Sequence, residues 1–231
     1  MNIKKITQTL LYSVFPKRCA LCGEVIEIDE TVCSSCKNNV RIKSPKCKKC
    51  GREKSKCTCK YSRKSPEYTG VTAPFYFDGN VIKAVHRLKF QKFSELADAM
   101  AQEMAKSVLA DFEHINFDAV TYIPMSEKRQ KARGYNQSLL LAQKLSELLD
   151  VELEHTFYRE FERGPQRGKT AKKRKADIFG AFDINEGIKP QGKTYLIVDD
   201  VKTTGSTLSE CAAVLDCYGA TESYAVAFAI R

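Results

Sequence analysis

Eight of the ten cysteines lie between residues 19 and 59, and their spacing restricts what this part of the chain can form. They come in four close pairs: Cys19 and Cys22, Cys33 and Cys36, Cys47 and Cys50, and Cys57 and Cys59. Two cysteines separated by two residues can bind one metal ion from a tight turn, and two such pairs complete a tetrahedral zinc site. The four pairs therefore predict two structural zinc ions, each held by four thiolates.

The spacing alone leaves two questions open. A disulfide framework is the alternative to zinc, but it requires an oxidising compartment, and the first residues are a poor export signal. Neighbouring pairs would assign Cys19, Cys22, Cys33 and Cys36 to one ion and Cys47, Cys50, Cys57 and Cys59 to the other, whereas a cross-braced module would interleave them. A module of about 45 residues has little core, so we expect the metal to supply most of its folding free energy.

The positive charge of the chain is concentrated in the same region. Residues 1–65 hold 16 Lys and Arg against 5 Asp and Glu, whereas residues 66–231 hold 22 against 23. This asymmetry favours an acidic partner, most commonly nucleic acid, because neutralised phosphates release counterions. A purely structural module is the alternative. Nine basic residues between the cysteines are predicted to form a solvated face that can contact phosphates: Lys37, Arg41, Lys43, Lys46, Lys48, Lys49, Arg52, Lys54 and Lys56.

Hydrophobic patterning predicts no membrane span, because no stretch approaches the roughly 20 apolar residues that one requires. Within Met1–Phe15, apolar residues at positions 3, 6, 10 and 14 indicate one face of a helix. We expect this helix to pack on its own protein rather than on a membrane surface. A cytoplasmic location follows as the expectation.

The remainder of the chain alternates between strand and helix patterns, with Lys60–Tyr68 as a polar linker. This predicts two domains, residues 1–65 and 66–231, the second with a parallel sheet and helices on both faces. Both cysteines of the second part, Cys211 and Cys217, fall in an apolar helical stretch and are expected to be buried. The predicted strands are Val71–Phe77, Ala119–Ile123, Thr194–Val198 and Ser223–Ile230, and the predicted helices begin at Asp78, Ser94, Tyr135 and Ser206.

The most informative segment is residues 194–208, with the sequence TYLIVDDVKTTGSTL. A buried strand places Asp199 and Asp200 at its carboxyl end, where α/β sheets bind ligands. Two carboxylates can accept hydrogen bonds from two ribose hydroxyls. The following residues, Thr203, Thr204, Gly205, Ser206 and Thr207, offer hydroxyls, backbone N–H groups and a helix N-terminus, which together can hold a phosphate.

This order of residues resembles the phosphoribosyl-pyrophosphate (PRPP) motif of type I phosphoribosyltransferases. The chain departs from it at Lys202, where that family usually has an aliphatic residue; a cation there is compatible with binding but is expected to alter the packing. Nearly the whole chain is similar to the ComF family, which joins a double zinc ribbon to this domain and is linked to DNA uptake in competent bacteria. Further similarity lies in Leu88–Phe90, Ile123–Gln137, and Pro165-Gln166 with the basic run after them.

The resemblance implies an α/β fold of the type I phosphoribosyltransferase class and a PRPP-type ligand bound with magnesium. It also implies that the loop Pro124–Gly134 binds pyrophosphate through Arg129 and Arg133, although a solvated basic loop is the alternative. Lys89 is a weaker ligand candidate, and His86 is expected to be structural. The basic run at residues 163–175 resembles the flap over the active site, and a plain surface loop is the alternative.

Two functions are therefore compatible with the sequence. The first is a ComF-like protein that binds a phosphoribosyl group and handles single-stranded DNA during uptake, together with other DNA-uptake proteins. The second is a salvage-type phosphoribosyltransferase that transfers the phosphoribosyl group of PRPP to a nitrogenous acceptor. No acceptor pocket can be identified from the sequence, so catalysis stays open between them.

Overall fold

The computed structural model describes residues 16–59, 65–90, 94–159 and 181–231. The predictions for the helix within Met1–Phe15, for part of the linker and for the basic run at residues 163–175 lie outside the described residues. Within the described ranges, none of the helices has the length and apolar character needed to cross a membrane.

The core of the fold is a parallel sheet, whose strands and helices we number in chain order. Its strands are β1 (Gly70–Thr72), β2 (Phe75–Tyr76), β3 (Ala119–Tyr122), β6 (Thr194–Lys202) and β7 (Glu222–Ile230). The order across the sheet is β1-β7-β6-β3, and β2 pairs with β7 beyond β1. Apolar side chains of β6 and β7 are buried, apart from the half-buried Val201, as expected for parallel strands that are covered on both faces.

Helices cover both faces of this sheet, as the alternating pattern predicted. They are α1 (Ser34–Val40), α2 (Gly79–Phe90), α3 (Ser94–Asp111), α4 (Glu127–Arg133), α5 (Gln137–Leu149) and α6 (Ser206–Cys217). On one face, α2, α3 and α5 pack against Leu196 and Val198 of β6. On the other face, α6 packs against Tyr195 and Ile197. The α/β class is confirmed.

Three predicted boundaries were wrong. The strand predicted at Val71–Phe77 is divided into β1 and β2 at Pro74, which has no N–H to donate and whose carbonyl accepts a hydrogen bond from Ile42. The strand predicted to end at Val198 continues to Lys202, because β7 pairs with it up to that residue. Finally, the predicted loop Pro124–Gly134 contains α4, which Gly134 ends in a left-handed conformation (φ 81°).

A second, two-stranded antiparallel sheet was not predicted. It consists of β4 (Phe157–Arg159) and β5 (Phe182–Ile184), which flank residues 160–180. One further expectation needs correction: Cys211 is fully buried in α6, but Cys217 is only half-buried at the helix end.

The cysteine-rich segment is packed onto the sheet domain. Leu21 and Val32 belong to the same buried cluster as Phe75, Val81 and Val85. The boundary between residues 1–65 and 66–231 stays a prediction, but side chains from both sides of it share one hydrophobic core.

Candidate functional site

The eight cysteines form two separate clusters. One contains Cys19, Cys22, Cys33 and Cys36, the other Cys47, Cys50, Cys57 and Cys59, and within each the sulfur atoms lie within 4.8 Å of one another. All ten cysteines are free thiols. Neighbouring pairs therefore meet, as one of the two arrangements predicted, and the clusters are not interleaved. Four sulfur ligands so arranged fit a tetrahedral zinc ion, and Gly23 and Gly51 make the left-handed turns (φ 85° and 78°) that close two of the knuckles.

The nine basic residues between the cysteines are not all part of a solvated face, and that prediction is partly wrong. Lys46 is nearly buried, and its ammonium lies 2.8 Å from Asp111 Oδ2 on α3. It also donates to Thr72 Oγ1 and to the carbonyl of Ala73. Burial lowers the pKa of Lys46, and the pairing with Asp111 opposes that shift. This side chain therefore attaches the second cysteine cluster to the sheet domain.

Arg41 attaches the first cysteine cluster to the sheet domain in a similar way. Its guanidinium donates to Glu103 of α3 and lies over the ring of Phe75 at 5.1 Å. Glu103 is fully buried and also accepts hydrogen bonds from Thr31 and Lys106. Burial alone would raise the pKa of Glu103, but these three donors hold it below its usual range. The exposed members of the predicted face are Lys43, Lys48, Lys49, Lys54 and Lys56.

The two acids of the predicted motif lie on β6 where its neighbour β3 has ended. The pairing of β3 with β6 stops at Val198, whereas β7 continues beside Asp199 and beyond. Beyond Val198, the edge of β6 that was paired with β3 faces the start of α5. There Ser138 Oγ donates to Asp199 Oδ1 at 3.0 Å, and the backbone N–H of Asp200 donates to the same oxygen at 2.8 Å. Both acids are half-buried and lie within β6, close to its carboxyl end, because the strand continues past them to Lys202.

The protonation of Asp199 is unusual. Burial, together with the negative charge of Asp200, raises the pKa of Asp199 to about 7, although Ser138 and Lys89 oppose this shift. Asp199 can therefore exchange a proton near neutral pH. Carboxyl groups with a strongly shifted pKa are common at functional sites, because burial and neighbouring charges there adjust the pKa to the task of the group.

Lys89 is brought into the site. Its ammonium lies 2.8 Å from Asp200 Oδ2, which joins the end of α2 to β6. The neighbouring Tyr135 hydroxyl donates to the carbonyl of Leu88 and holds this end of α2 against the segment before α5. His86, on the same helix, is exposed and lies beside the ring of Phe90, at a centroid distance of 4.5 Å.

The loop after the acids is the strand-to-helix bend that the sequence predicted. Thr203 and Thr204 are exposed, and Gly205 takes a left-handed conformation (φ 82°) before Ser206 begins α6. Thr204 Oγ1 lies 2.9 Å from Ser206 Oγ and accepts from the Ser206 N–H at 3.3 Å. The loop thus presents hydroxyls and the N-terminus of a twelve-residue helix at the end of β6 that carries the acids.

Comparison with known proteins agrees with both halves of this description. A family model described as a double zinc ribbon domain matches residues 10–65, and one described as a phosphoribosyl transferase domain matches residues 136–230. The DNA utilization protein YhgH of Salmonella typhimurium is 30% identical over 208 residues, which cover 87% of this chain and 91% of that protein. The chain belongs to the ComF family.

Two further ComF-family relatives carry names from natural competence. Competence protein F of Haemophilus influenzae is 28% identical, with 92% of this chain and 96% of the relative covered. Competence protein ComFC of Bacillus subtilis is 27% identical, with 83% and 80% covered. The type I phosphoribosyltransferase-like fold with two four-cysteine zinc-binding sites is therefore confirmed.

The two arginines proposed for pyrophosphate are placed differently in this ComF-family chain. Arg129 is exposed on α4, and Arg133 is half-buried, with its guanidinium donating to Gln137 Oε1 and lying 5.7 Å from the ring of Phe90. Within the described ranges, the recorded side-chain contacts of the acids come from Ser138 and Lys89 rather than from these arginines. A pyrophosphate role for either residue stays a prediction.

Sequence reasoning missed Ser138. Asn136 caps α5 by accepting from the N–H groups of Ser138 and Leu139. Its side-chain amide also donates to the Ile123 carbonyl at the end of β3. That anchor directs the first turn of α5 toward β6 and so brings Ser138 to Asp199. The available signal was the polar segment Asn136–Ser138 directly after a short strand.

Proposed function

We propose that this protein binds PRPP or a related phosphoribosyl ligand at Asp199, Asp200 and the loop Thr203–Thr207, and that it handles single-stranded DNA during DNA uptake. One observation carries the first part: a pair of half-buried carboxylates and an exposed hydroxyl-rich helix start lie at the same end of β6. We place this activity in the cytoplasm, where eight zinc-binding thiolates remain reduced.

Each part of the site has a task in this proposal. The carboxylates of Asp199 and Asp200 accept hydrogen bonds from the two ribose hydroxyls. The N–H groups at the start of α6 and the hydroxyls of Thr203 and Thr204 bind the 5-phosphate, assisted by the helix dipole. Lys89 balances the charge of Asp200 and keeps both carboxylates in place.

The donor set also fits magnesium bound together with the ligand. Magnesium usually takes one or two carboxylates and completes its shell with water and substrate phosphates, and Asp199 and Asp200 offer that number. When bound, magnesium would neutralise the pyrophosphate group. Asp199 must then be ionised, so ligand binding near pH 7 is expected to release its proton.

The DNA part of the proposal is supported by the relatives and by charge. The relatives are named for DNA utilization and for competence. Lysines that remain exposed around the second cysteine cluster can contact a phosphate backbone without a fixed geometry. Other DNA-uptake proteins are expected partners, because two of the relatives are named for competence.

An active salvage-type phosphoribosyltransferase is the second candidate. It is supported by the family model described as a phosphoribosyl transferase domain. A cavity of about 450 Å³ opens between α4 and α5, but it is lined by Gln130, Tyr135, Leu139 and their neighbours and by none of the predicted site residues. Pyrophosphate release with a panel of nucleobases would identify this alternative.

A gel-shift experiment with single-stranded DNA over a salt series tests the DNA part. We expect binding at about 50 mM salt that weakens steeply as salt rises, because counterion release dominates phosphate contacts. A variant with Lys43, Lys48 and Lys54 changed to Gln should bind more weakly and with a smaller salt slope. Negligible binding by the unaltered protein at about 50 mM salt would eliminate DNA handling.

A further inference from the structure

Lys202 is a buried lysine directly before the loop Thr203–Thr207, which we call the phosphate loop. Its residue surface is only 6% exposed, although it lies one position before Thr203. A methyl group built on Gly205 would lie 2.8 Å from Lys202 Cε and 3.3 Å from Nζ. The ammonium therefore lies next to Gly205 and is largely buried, whereas the preceding Thr203 and Thr204 are exposed.

The residues around Gly205 and Lys202 are hydrogen-bonded to the second cysteine cluster. The Tyr68 hydroxyl, which is 3.2 Å from the same built methyl position, donates to the carbonyl of Lys49 at 3.0 Å. The carbonyl of Lys48 accepts from the N–H of Val71 at 2.8 Å. Lys48 and Lys49 form the turn between Cys47 and Cys50, so the metal-binding knuckle is hydrogen-bonded to the residues around the loop.

Two hydrogen bonds of Arg231 also connect Lys202 to the cluster. The N–H of Arg231 donates to the Lys202 carbonyl at 2.9 Å, and the guanidinium of Arg52, close after the knuckle, donates to the carbonyl of Arg231 at 2.8 Å. Burial lowers the pKa of Lys202, whereas the thiolates of Cys50, Cys59 and Cys47 oppose that shift, so the cluster is within electrostatic reach of the ammonium.

The positive charge of Lys202 can be compared with the negative charges expected near it. A zinc ion bound by four thiolates carries a net charge of about −2, and a phosphate monoester in the loop would carry nearly the same. Lys202 lies next to the loop that would hold the one anion and within electrostatic reach of the other. Nearby negative charge stabilises an ammonium that is largely removed from water.

We propose that Lys202 links the zinc centre of Cys47, Cys50, Cys57 and Cys59 to the phosphate loop, so that zinc and a phosphomonoester ligand bind cooperatively. This inference rests on the proposed function and extends it, because it makes one zinc ion a part of the ligand site. Lys202 acts here as a positioning residue: it holds Gly205 from behind and does not touch the ligand.

Linkage makes the proposal reciprocal. If zinc at the second centre strengthens phosphate binding, then bound phosphate must strengthen zinc binding by the same factor. The first centre, formed by Cys19, Cys22, Cys33 and Cys36, is attached to α3 through Arg41 and should not respond. One of the two zinc ions is therefore expected to depend on ligand, and the other is not.

The test measures zinc release to a chromophoric chelator, with ribose 5-phosphate as the probe. In the unaltered protein, we expect saturating ribose 5-phosphate to slow the release of one of the two ions by about tenfold. Lys202→Met, which restores an aliphatic side chain, should abolish this slowing and weaken ribose 5-phosphate binding by about tenfold. Lys193→Met is the matched control, because Lys193 pairs with Glu154 just before the opposite end of the same strand.

The outcomes separate the two claims. If ribose 5-phosphate binds the unaltered protein and both zinc ions leave at unchanged rates, the coupling is wrong while the proposed function stands. If ribose 5-phosphate does not bind at all, the proposed function fails and the coupling fails with it. Should Lys202→Met not fold, as judged by circular dichroism, the ligand dependence of zinc release in the unaltered protein decides alone.

Discussion

The ammonium of Lys89 lies 2.8 Å from Asp200 Oδ2 and joins the last turn of α2 to the strand that carries both acids. The pair is partly shielded, with Lys89 27% and Asp200 14% exposed. Lys89 also opposes the burial and the Asp200 charge that raise the pKa of Asp199. The charge state of the acid pair is therefore set in part from a helix more than one hundred residues away in sequence.

Removal of this ammonium should make Asp199 a weaker acid. In Lys89→Met, we expect the pKa of Asp199 to rise above about 7, because an opposing positive charge is lost. Carboxyl carbon chemical shifts followed by NMR across pH 5–9 would measure it. Lys83→Met, an exposed position on the same helix, is the control. An unchanged titration in Lys89→Met would show that the ion pair does not act on Asp199.

The raised pKa of Asp199 predicts a pH dependence of stability. The native pKa of about 7 is higher than the value near 3.9 expected in the unfolded chain, so the native state holds the proton more tightly. The contribution of this group to the free energy of unfolding is therefore fully present below about pH 4 and is lost as pH rises toward 7.

Asp199→Asn isolates that contribution. The variant should be more stable than the unaltered protein at pH 8, and the difference should shrink as pH falls toward 4. Urea unfolding at several pH values measures this, with Asp216→Asn, an exposed acid on α6, as the control. A difference that does not change with pH would contradict the assignment of a raised pKa to Asp199.

The attachment of the second cysteine cluster by Lys46 is also testable. Lys46→Met leaves Asp111, which is 17% exposed, without its ammonium partner, and we expect a loss of about 3 kcal/mol in the free energy of unfolding. Lys56→Met removes an ammonium that is 62% exposed and should cost less than about 1 kcal/mol. Equal effects in denaturant unfolding would mean that Lys46 does not attach the cluster.

The space around Gly205 in the phosphate loop can be tested by comparison with Gly192, which has nearly the same φ angle but lies before β6. Gly205 has φ +82°, and an added methyl group would lie 2.8 Å from Lys202 Cε, whereas Gly192 has φ +79° and nothing within 4 Å. Gly192→Ala should therefore lose only the roughly 1 kcal/mol of a left-handed alanine. Gly205→Ala should lose more and should also weaken ribose 5-phosphate binding. Identical losses in both variants would indicate that the space behind the loop is not restrictive.

The parts of the site that were predictable from sequence are local. Asp199, Asp200 and the Thr203–Thr207 loop follow one another along the chain, and an apolar strand before them together with a helix after them determines where they lie. The cysteine pairs were predictable for the same reason, since each pair has only one or two residues between its two ligands. Their assignment to two ions needed the structure, because it depends on how the knuckles pack.

The parts that were missed depend on contacts between distant residues. Ser138 reaches Asp199 across 61 positions, and Lys46 reaches Asp111 across 65. In sequence, Lys46 is indistinguishable from its exposed neighbours, because burial is decided by the docking of the cluster onto α3. The antiparallel pair of β4 and β5 was missed because each strand has only three residues, too few for an alternating pattern to be recognised.

The central claim is that the acids and the loop at the end of β6 bind a phosphorylated ribose. Isothermal titration calorimetry with PRPP and magnesium chloride tests it most directly, with zinc content and unfolding followed in the same samples. We predict binding at one site per chain that weakens at least about tenfold in the double variant Asp199→Ala and Asp200→Ala, while Asp216→Ala binds normally. Equal affinity in the double variant, or no heat of binding with the unaltered protein, would contradict the account.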